Sequence, residues 1–84
     1  MNPTEEKKAR ELIKKIVLLN ALRYEGKATP KPIFSKLLGE YPQFRKSVKE
    51  VAPIINQTVQ EINSLSLEKQ REIVAENWPE ALVQ

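Results

Sequence analysis

Six apolar residues, Phe44, Val48, Val51, Ile55, Val59 and Ile62, follow one another at intervals of 4, 3, 4, 4 and 3. That is the period of one face of a helix, and no strand presents it. The stripe keeps its phase across Pro53, where a full break would reset it. The pattern therefore predicts a single long helix from about Pro42 to Asn63, kinked at Pro53. An interior proline costs about 3 kcal/mol, so packing of the stripe has to offset it. The alternative is two helices meeting in a tight joint at Ala52-Pro53.

The remaining segments also read as helices. Asn2 is a suitable N-cap, Pro3 fits the first helical position, and Glu5 and Glu6 face the positive end of the dipole. A first helix is expected from Pro3 or Thr4 to about Tyr24, with Ala9, Leu12, Ile13, Ile16, Val17, Leu19 and Tyr24 on one arc. Leu18 and Leu22 fall on the lysine side, so the second half of this helix is apolar nearly all round and is expected between other helices. Asn20 sits within the apolar arc and needs hydrogen-bond partners there. The Gly26–Thr29 turn or a facing helix would supply them. Gly26 is expected to end the helix in a left-handed conformation.

Thr29-Pro30-Lys31-Pro32 reads as an extended approach, since residues before proline avoid the helical region. A short helix over about 32–38 would turn Ile33, Phe34, Leu37 and Leu38 inward and stop at Gly39. Ser66 caps a last helix over about 67–77, with Leu67, Ile73, Val74 and Trp78 inward and Pro79 ending it. Residues 80–84 read as a fraying tail or the beginning of a linker. The fold class is thus all-α, a small bundle of four to five helices with a long proline-kinked third helix. At 84 residues it forms one domain with a modest core.

Composition removes most chemistry. The chain has no histidine, no cysteine and no aspartate, and only two glycines. Histidine-based nucleophilic catalysis, ordinary zinc sites, EF-hand loops and glycine-rich phosphate loops are excluded. Glu68, Glu72 and Glu76, four apart, read as a solvated helix stripe rather than an acid/base pair. No catalytic residue, metal ligand or cofactor site is expected in this chain. It has no apolar run long enough for a membrane span, and its lack of cysteine suits a reducing cytosol. A cytoplasmic location is expected.

Charge is distributed unevenly. Residues 1–49 carry twelve Lys/Arg and five Glu, a balance of +7, and residues 50–84 carry two and six, a balance of −4; together they give the net +3. A basic surface facing an anionic partner follows. Arg23, Lys27, Lys31 and Lys36 surround the turn and short helix, and Arg45, Lys46 and Lys49 lie on the first half of the third helix. If the two groups converge they form a surface for a phosphate backbone; otherwise they are a solvated face. Tyr41 is the candidate for base stacking, while Tyr24, Phe34 and Phe44 read as core. Such a surface would read backbone shape more than sequence.

The segments Leu18–Ala28, Leu38–Lys46 and Glu50–Gln70 carry a family resemblance. Asn20-Ala21-Leu22, Gly26-Lys27-Ala28, Leu38-Gly39-Glu40, Pro42, Arg45, Pro53 and Asn63-Ser64-Leu65-Ser66-Leu67-Glu68 stand in the order and spacing of the N-terminal appended region of archaeal-type glutamyl-tRNA synthetases. The resemblance spans roughly residues 12–80. The Gly-Lys-Ala turn is also similar to the helical tail domain of the B subunit of tRNA-dependent amidotransferases and to the appended domain of eukaryotic glutaminyl-tRNA synthetase. The resemblance implies a parent enzyme that attaches glutamate to tRNA with ATP and magnesium. That enzyme's nucleotide-binding signatures are absent from this chain, so the resemblance implies an isolated N-terminal domain without the catalytic one. Implied partners are tRNA and the rest of the synthetase, with no membrane.

The rival reading is a protein-docking module linking the synthetase to another synthetase or translation factor. An exposed apolar patch would carry it, with Leu18 and Leu22 as candidates if the core leaves them uncovered.

Overall fold

In the computed structural model, which describes residues 1–83, the chain forms four α-helices with two short 3₁₀ segments. The helices are α1 (Pro3–Arg23), α2 (Pro30–Glu40), α3 (Val48–Asn63) and α4 (Leu67–Asn77). The 3₁₀ segments are Pro42–Ser47, leading into α3, and Pro79–Leu82, following α4. α1 packs against each of the other three helices. Its 21 residues span about 31 Å at 1.5 Å per residue, and the longest extent of the molecule is 34 Å. α1 is thus the spine, and it sets the length of the domain.

The start of α1 follows from its first residues. The Asn2 side chain accepts from the Glu5 N–H at 2.8 Å and the Glu5 carboxylate accepts from the Asn2 N–H at 3.3 Å. This reciprocal capping box satisfies two otherwise free backbone donors. The Met1 ammonium donates to the Glu50 carboxylate, which raises its pKa above the usual 8.0 and ties the chain's first residue to α3. Along α1, Ala9, Ile13, Ile16, Val17, Leu18 and Ala21 are buried, so the second half is enclosed on several sides as expected. Leu18 is fully covered.

The helix ends one residue before Tyr24, and this overturns one expectation. Glu25 and Gly26 take left-handed conformations with φ of 55° and 93°, and the Gly26 N–H returns to the Ala21 carbonyl at 2.8 Å, a Schellman-type closure. Tyr24, expected in the core, is 63 % exposed. The arc that placed it inward holds only while the chain is helical.

α2 begins two residues earlier than the sequence predicts and runs through Gly39. Thr29 is extended as expected, but Pro30 and Pro32 both lie in the first turn, where a missing N–H costs nothing. Gly39 does not stop the helix; Tyr41-Pro42 does. Ile33 and Leu37 are fully inside, Phe34 and Leu38 half-buried.

The third helix is corrected in its first half. Residues Pro42–Ser47 are 3₁₀, and only Val48–Asn63 are α-helical. α3 continues through Pro53 without a break, and the change from 3₁₀ to α geometry lies at Ser47. The stripe holds from Val51 onward, with Val51, Ile54, Ile55, Val59 and Ile62 buried. Phe44 is half-buried and packs edge-on against Tyr41, with ring centroids 6.4 Å apart. Val48 is exposed. The phase fails there because a 3₁₀ segment turns at three residues per turn, not 3.6.

α4 begins at Ser66, whose hydroxyl accepts from the Lys69 N–H at 3.0 Å, and it spans the expected residues. Val74 is buried and Leu67, Ile73 and Trp78 are half-buried. The expected tail is partly ordered: Pro79–Leu82 form a 3₁₀ turn, with Ala81 packed on the core. Gln84 lies outside the described residues.

Gln70 is the polar residue inside the core. Its amide nitrogen donates to the carbonyls of Gly26 and Ile62, each at 2.9 Å, and of Leu65 at 3.4 Å. Three surrounding carbonyls fix which end of the amide is nitrogen. Its Oε1 is buried without a partner and would lie 3.4 Å from a Cβ added at Gly26.

Gln70→Met should destabilise the fold by about 1–3 kcal/mol, since it leaves the buried Gly26 carbonyl without a donor, whereas the Ile62 carbonyl keeps the Leu65 N–H. Urea unfolding of parent and variant checks this. Pro53→Ala should act in the opposite direction. It restores an intrahelical donor and relieves the proline's clash with the preceding turn, for a gain of about 1–3 kcal/mol. In a domain of this size, that raises the melting temperature by at least about 4 °C.

Candidate nucleic-acid interface

The α1–α2 turn is held from below at three points. Gln70 takes the Gly26 carbonyl. Asn63 grips Ala28 at both ends, accepting from its N–H and donating to its carbonyl, each at 2.8 Å. Asn20 accepts from the Thr29 N–H at 3.4 Å, the structural role expected for it. The stronger locks, Asn63 and Gln70, are not legible from apolar periodicity, which treats a polar residue on a helix as solvated.

On the outer side of this turn stand exposed side chains. Arg23 closes the last turn of α1, Tyr24 follows it, Lys27 sits in the turn, and Lys31 lies in the first turn of α2, near the helix's positive end. Arg23 and Lys36 line one groove of about 370 Å³ between α1 and α2, with Ile16, Leu19 and Ile33 among its apolar lining and Leu82 at its edge. Lys36 is partly neutralised by Glu40, 2.9 Å away; an exposed pair of this kind is held weakly.

The second expected group lies farther along. Arg45 donates through Nε to the Leu38 carbonyl at 3.0 Å, near the C-terminal end of α2, leaving its other guanidinium donors uncommitted. Lys46 and Lys49 are exposed on the 3₁₀ segment and the first turn of α3. Lys31 and Arg45 are therefore separated by most of α2, whose 11 residues rise about 16 Å. The basic residues are strung along α2 instead of gathering at the turn.

The aromatic assignments change places. Tyr41 is half-buried against Phe44, whereas Tyr24 stands in solvent between Arg23 and Lys27. The apolar candidates for docking are also revised. Leu18 is covered and Leu22 is half-buried, while Val48, Leu82 and Val83 are exposed. Among the described residues, no group of three or more carboxylates could hold a metal ion, and no helix is long and apolar enough to cross a membrane.

Comparison with known proteins gives a consistent set of relatives. A glutamate–tRNA ligase of Thermococcus kodakarensis is 49% identical over 71 residues, which is 84% of this chain and 12% of the ligase. That of Staphylothermus marinus is 48% identical over 65 residues, 77% of the chain and 12% of the ligase. That of Ignicoccus hospitalis is 48% identical over 73 residues, 87% of the chain and 13% of the ligase. The chain is homologous to a segment of archaeal glutamate–tRNA ligases. It spans about an eighth of the length of these curated relatives. No family model and no solved structure matches it.

Gly26→Ala tests how firmly the turn is held. A φ of 93° disfavours any side chain, while the added Cβ would only reach ordinary contact with the buried Gln70 amide. A loss of about 1–2 kcal/mol in thermal unfolding is expected; an unchanged midpoint would show that the turn can relax.

Proposed function

We propose that the chain is an N-terminal appended, non-catalytic domain of a glutamate–tRNA ligase that adds affinity for tRNA. Ligation, with its ATP and magnesium, belongs to the remainder of the ligase in this reading. The observation that carries it is Tyr24: an exposed aromatic on a turn locked by Asn63 and Gln70 and flanked by Arg23 and Lys27. Cations along α2 hold phosphates, and the fixed ring offers a face to an unstacked base. Arg23, Lys27, Lys31 and Lys36 supply the nearer contacts, and Arg45, Lys46 and Lys49 extend the track. Because the turn is already ordered, binding requires little further ordering.

The alternative is docking to another synthetase or translation factor, supported by the exposed Leu82 and Val83 at the end of the described chain. The two separate cleanly. In a titration with a tRNA specific for glutamate across a range of salt, the parent chain should bind in the micromolar range at low salt and weaken steeply as salt rises. Replacing Lys27, Lys31 and Lys36 with glutamate should cost at least tenfold in affinity and flatten the log–log salt slope by about 2. No binding at low salt would reject tRNA recognition in favour of docking.

Tyr24 has its own signature. Tyr24→Ala should weaken binding by about 1–3 kcal/mol with the salt slope unchanged, and Tyr24→Phe should restore it. A change in slope would mean that the residue acts only through the charges beside it.

A further inference from the structure

A second cleft, sharing no lining residue with the groove beside Arg23 and Lys36, lies between the middle of α1 and the end of α4. Lys8, Lys14 and Lys15 line it with Glu11, and Asn77 and Trp78 close it from α4. It is open and about 620 Å³, roomy enough for a mononucleotide-sized ligand. Trp78 has two surroundings: it packs on the core and also lines this cleft. Among the described residues, no carboxylate lies within 4.0 Å of any of the three lysine ammonium groups; the ion pairs formed are those of Met1, Arg10, Lys36 and Lys69.

The end of α4 lacks a basic residue of its own, and its dipole presents about half a negative charge. Among the residues that line the cleft, the three lysines face one carboxylate, Glu11. Cations around an indole form the pairing that single-stranded nucleic acids exploit, phosphates on the former and a base on the latter.

We propose that this cleft is a binding site for an unpaired RNA nucleotide, with the base against Trp78 and the adjoining phosphates on Lys8, Lys14 and Lys15. The site is separate from the Tyr24 surface and does not depend on it. Asn77 and Trp78 border the cleft and Ala81 and Leu82 border the first groove, so the segment after α4 adjoins both.

Trp78 is the chain's one tryptophan, so intrinsic fluorescence reports on this cleft. Titration of the full chain with a three-nucleotide RNA at low salt should quench that emission, while inorganic polyphosphate of matching charge should not. Lys8→Glu combined with Lys14→Glu, both at exposed positions, should weaken the RNA response roughly tenfold and leave the melting temperature within a few degrees. In the variant with Lys27, Lys31 and Lys36 reversed, the quenching at saturation should persist at the parent's amplitude, with its midpoint shifted less per reversed charge than in the Lys8/Lys14 variant. Absence of quenching, equal quenching by polyphosphate, or insensitivity to the Lys8/Lys14 reversal would overturn the proposal. So would loss of quenching in the Lys27/Lys31/Lys36 variant, or a stronger response to an acidic peptide than to the RNA.

Discussion

The buried amide of Gln70 joins parts of the chain that apolar packing alone would leave free to slide. Its nitrogen reaches the carbonyl of Gly26 in the α1–α2 turn and those of Ile62 and Leu65 at the joint between α3 and α4. Hydrophobic contact is non-directional, and it fixes which faces meet better than it fixes the rotation of a turn. A hydrogen bond to a particular carbonyl fixes that rotation. Asn63 repeats the device one turn away by gripping both backbone groups of Ala28. The arrangement carries a cost, since Gln70 Oε1 is buried without a partner, and a buried, unpaired acceptor is destabilising. The fold tolerates this unmet acceptor in exchange for holding the Gly26 carbonyl, which has no other donor among the described residues, against the α3–α4 joint.

The lock sits beneath the surface on which the functional reading rests. Glu25 and Gly26 lie in the left-handed region, and a turn so bent would otherwise be a place for motion. With the Gly26 carbonyl and both groups of Ala28 held, Tyr24 projects from a fixed base. An exposed ring on a mobile loop would lose conformational freedom on binding; one on a locked turn has less to lose. The same lock explains why Gly26 is glycine, because a side chain there would need a strained φ and would meet the Gln70 amide.

Most of the fold was legible because the helices carry both periodicity and caps. Asn2 with Glu5, and Ser66 before Leu67, mark the starts of α1 and α4 as capping chemistry requires. The failures cluster where a period was extended past the element that generates it. Tyr24 lies one residue beyond α1, and Phe44 and Val48 straddle the change from 3₁₀ to α geometry. Gly39 carries a helix-propensity penalty of about 1 kcal/mol, but tertiary packing of Ile33 and Leu37 and the true stop at Tyr41-Pro42 outweigh it. Of the candidate site, the basic positions were readable as exposed charge. The more exposed tyrosine is Tyr24 and not Tyr41, the reverse of the expectation, and Gln70 and Asn63 could not be found at all. A polar residue on an amphipathic helix reads as solvated until its partners, here 44 and 35 residues away along the chain, are known to lie beside it.

Charge segregation follows from the same economy of core. A domain this small buries few side chains, and its inward positions are nearly all aliphatic, so charge is confined to the surface. There it is distributed by element: the half of the chain holding α1 and α2 carries +7, while the part from Glu50 onward carries −4. Gathering like charges destabilises a compact state, so the distribution works against the fold when the domain is free. A bound polyanion reverses that sign, because it neutralises repulsion present only in the folded arrangement and stabilises that arrangement by mass action. Where the surplus is strung along α2, it suits an extended phosphate backbone; where it closes around Trp78, it suits a single nucleotide. In the proposed reading, the first geometry senses charge spacing and the second a base.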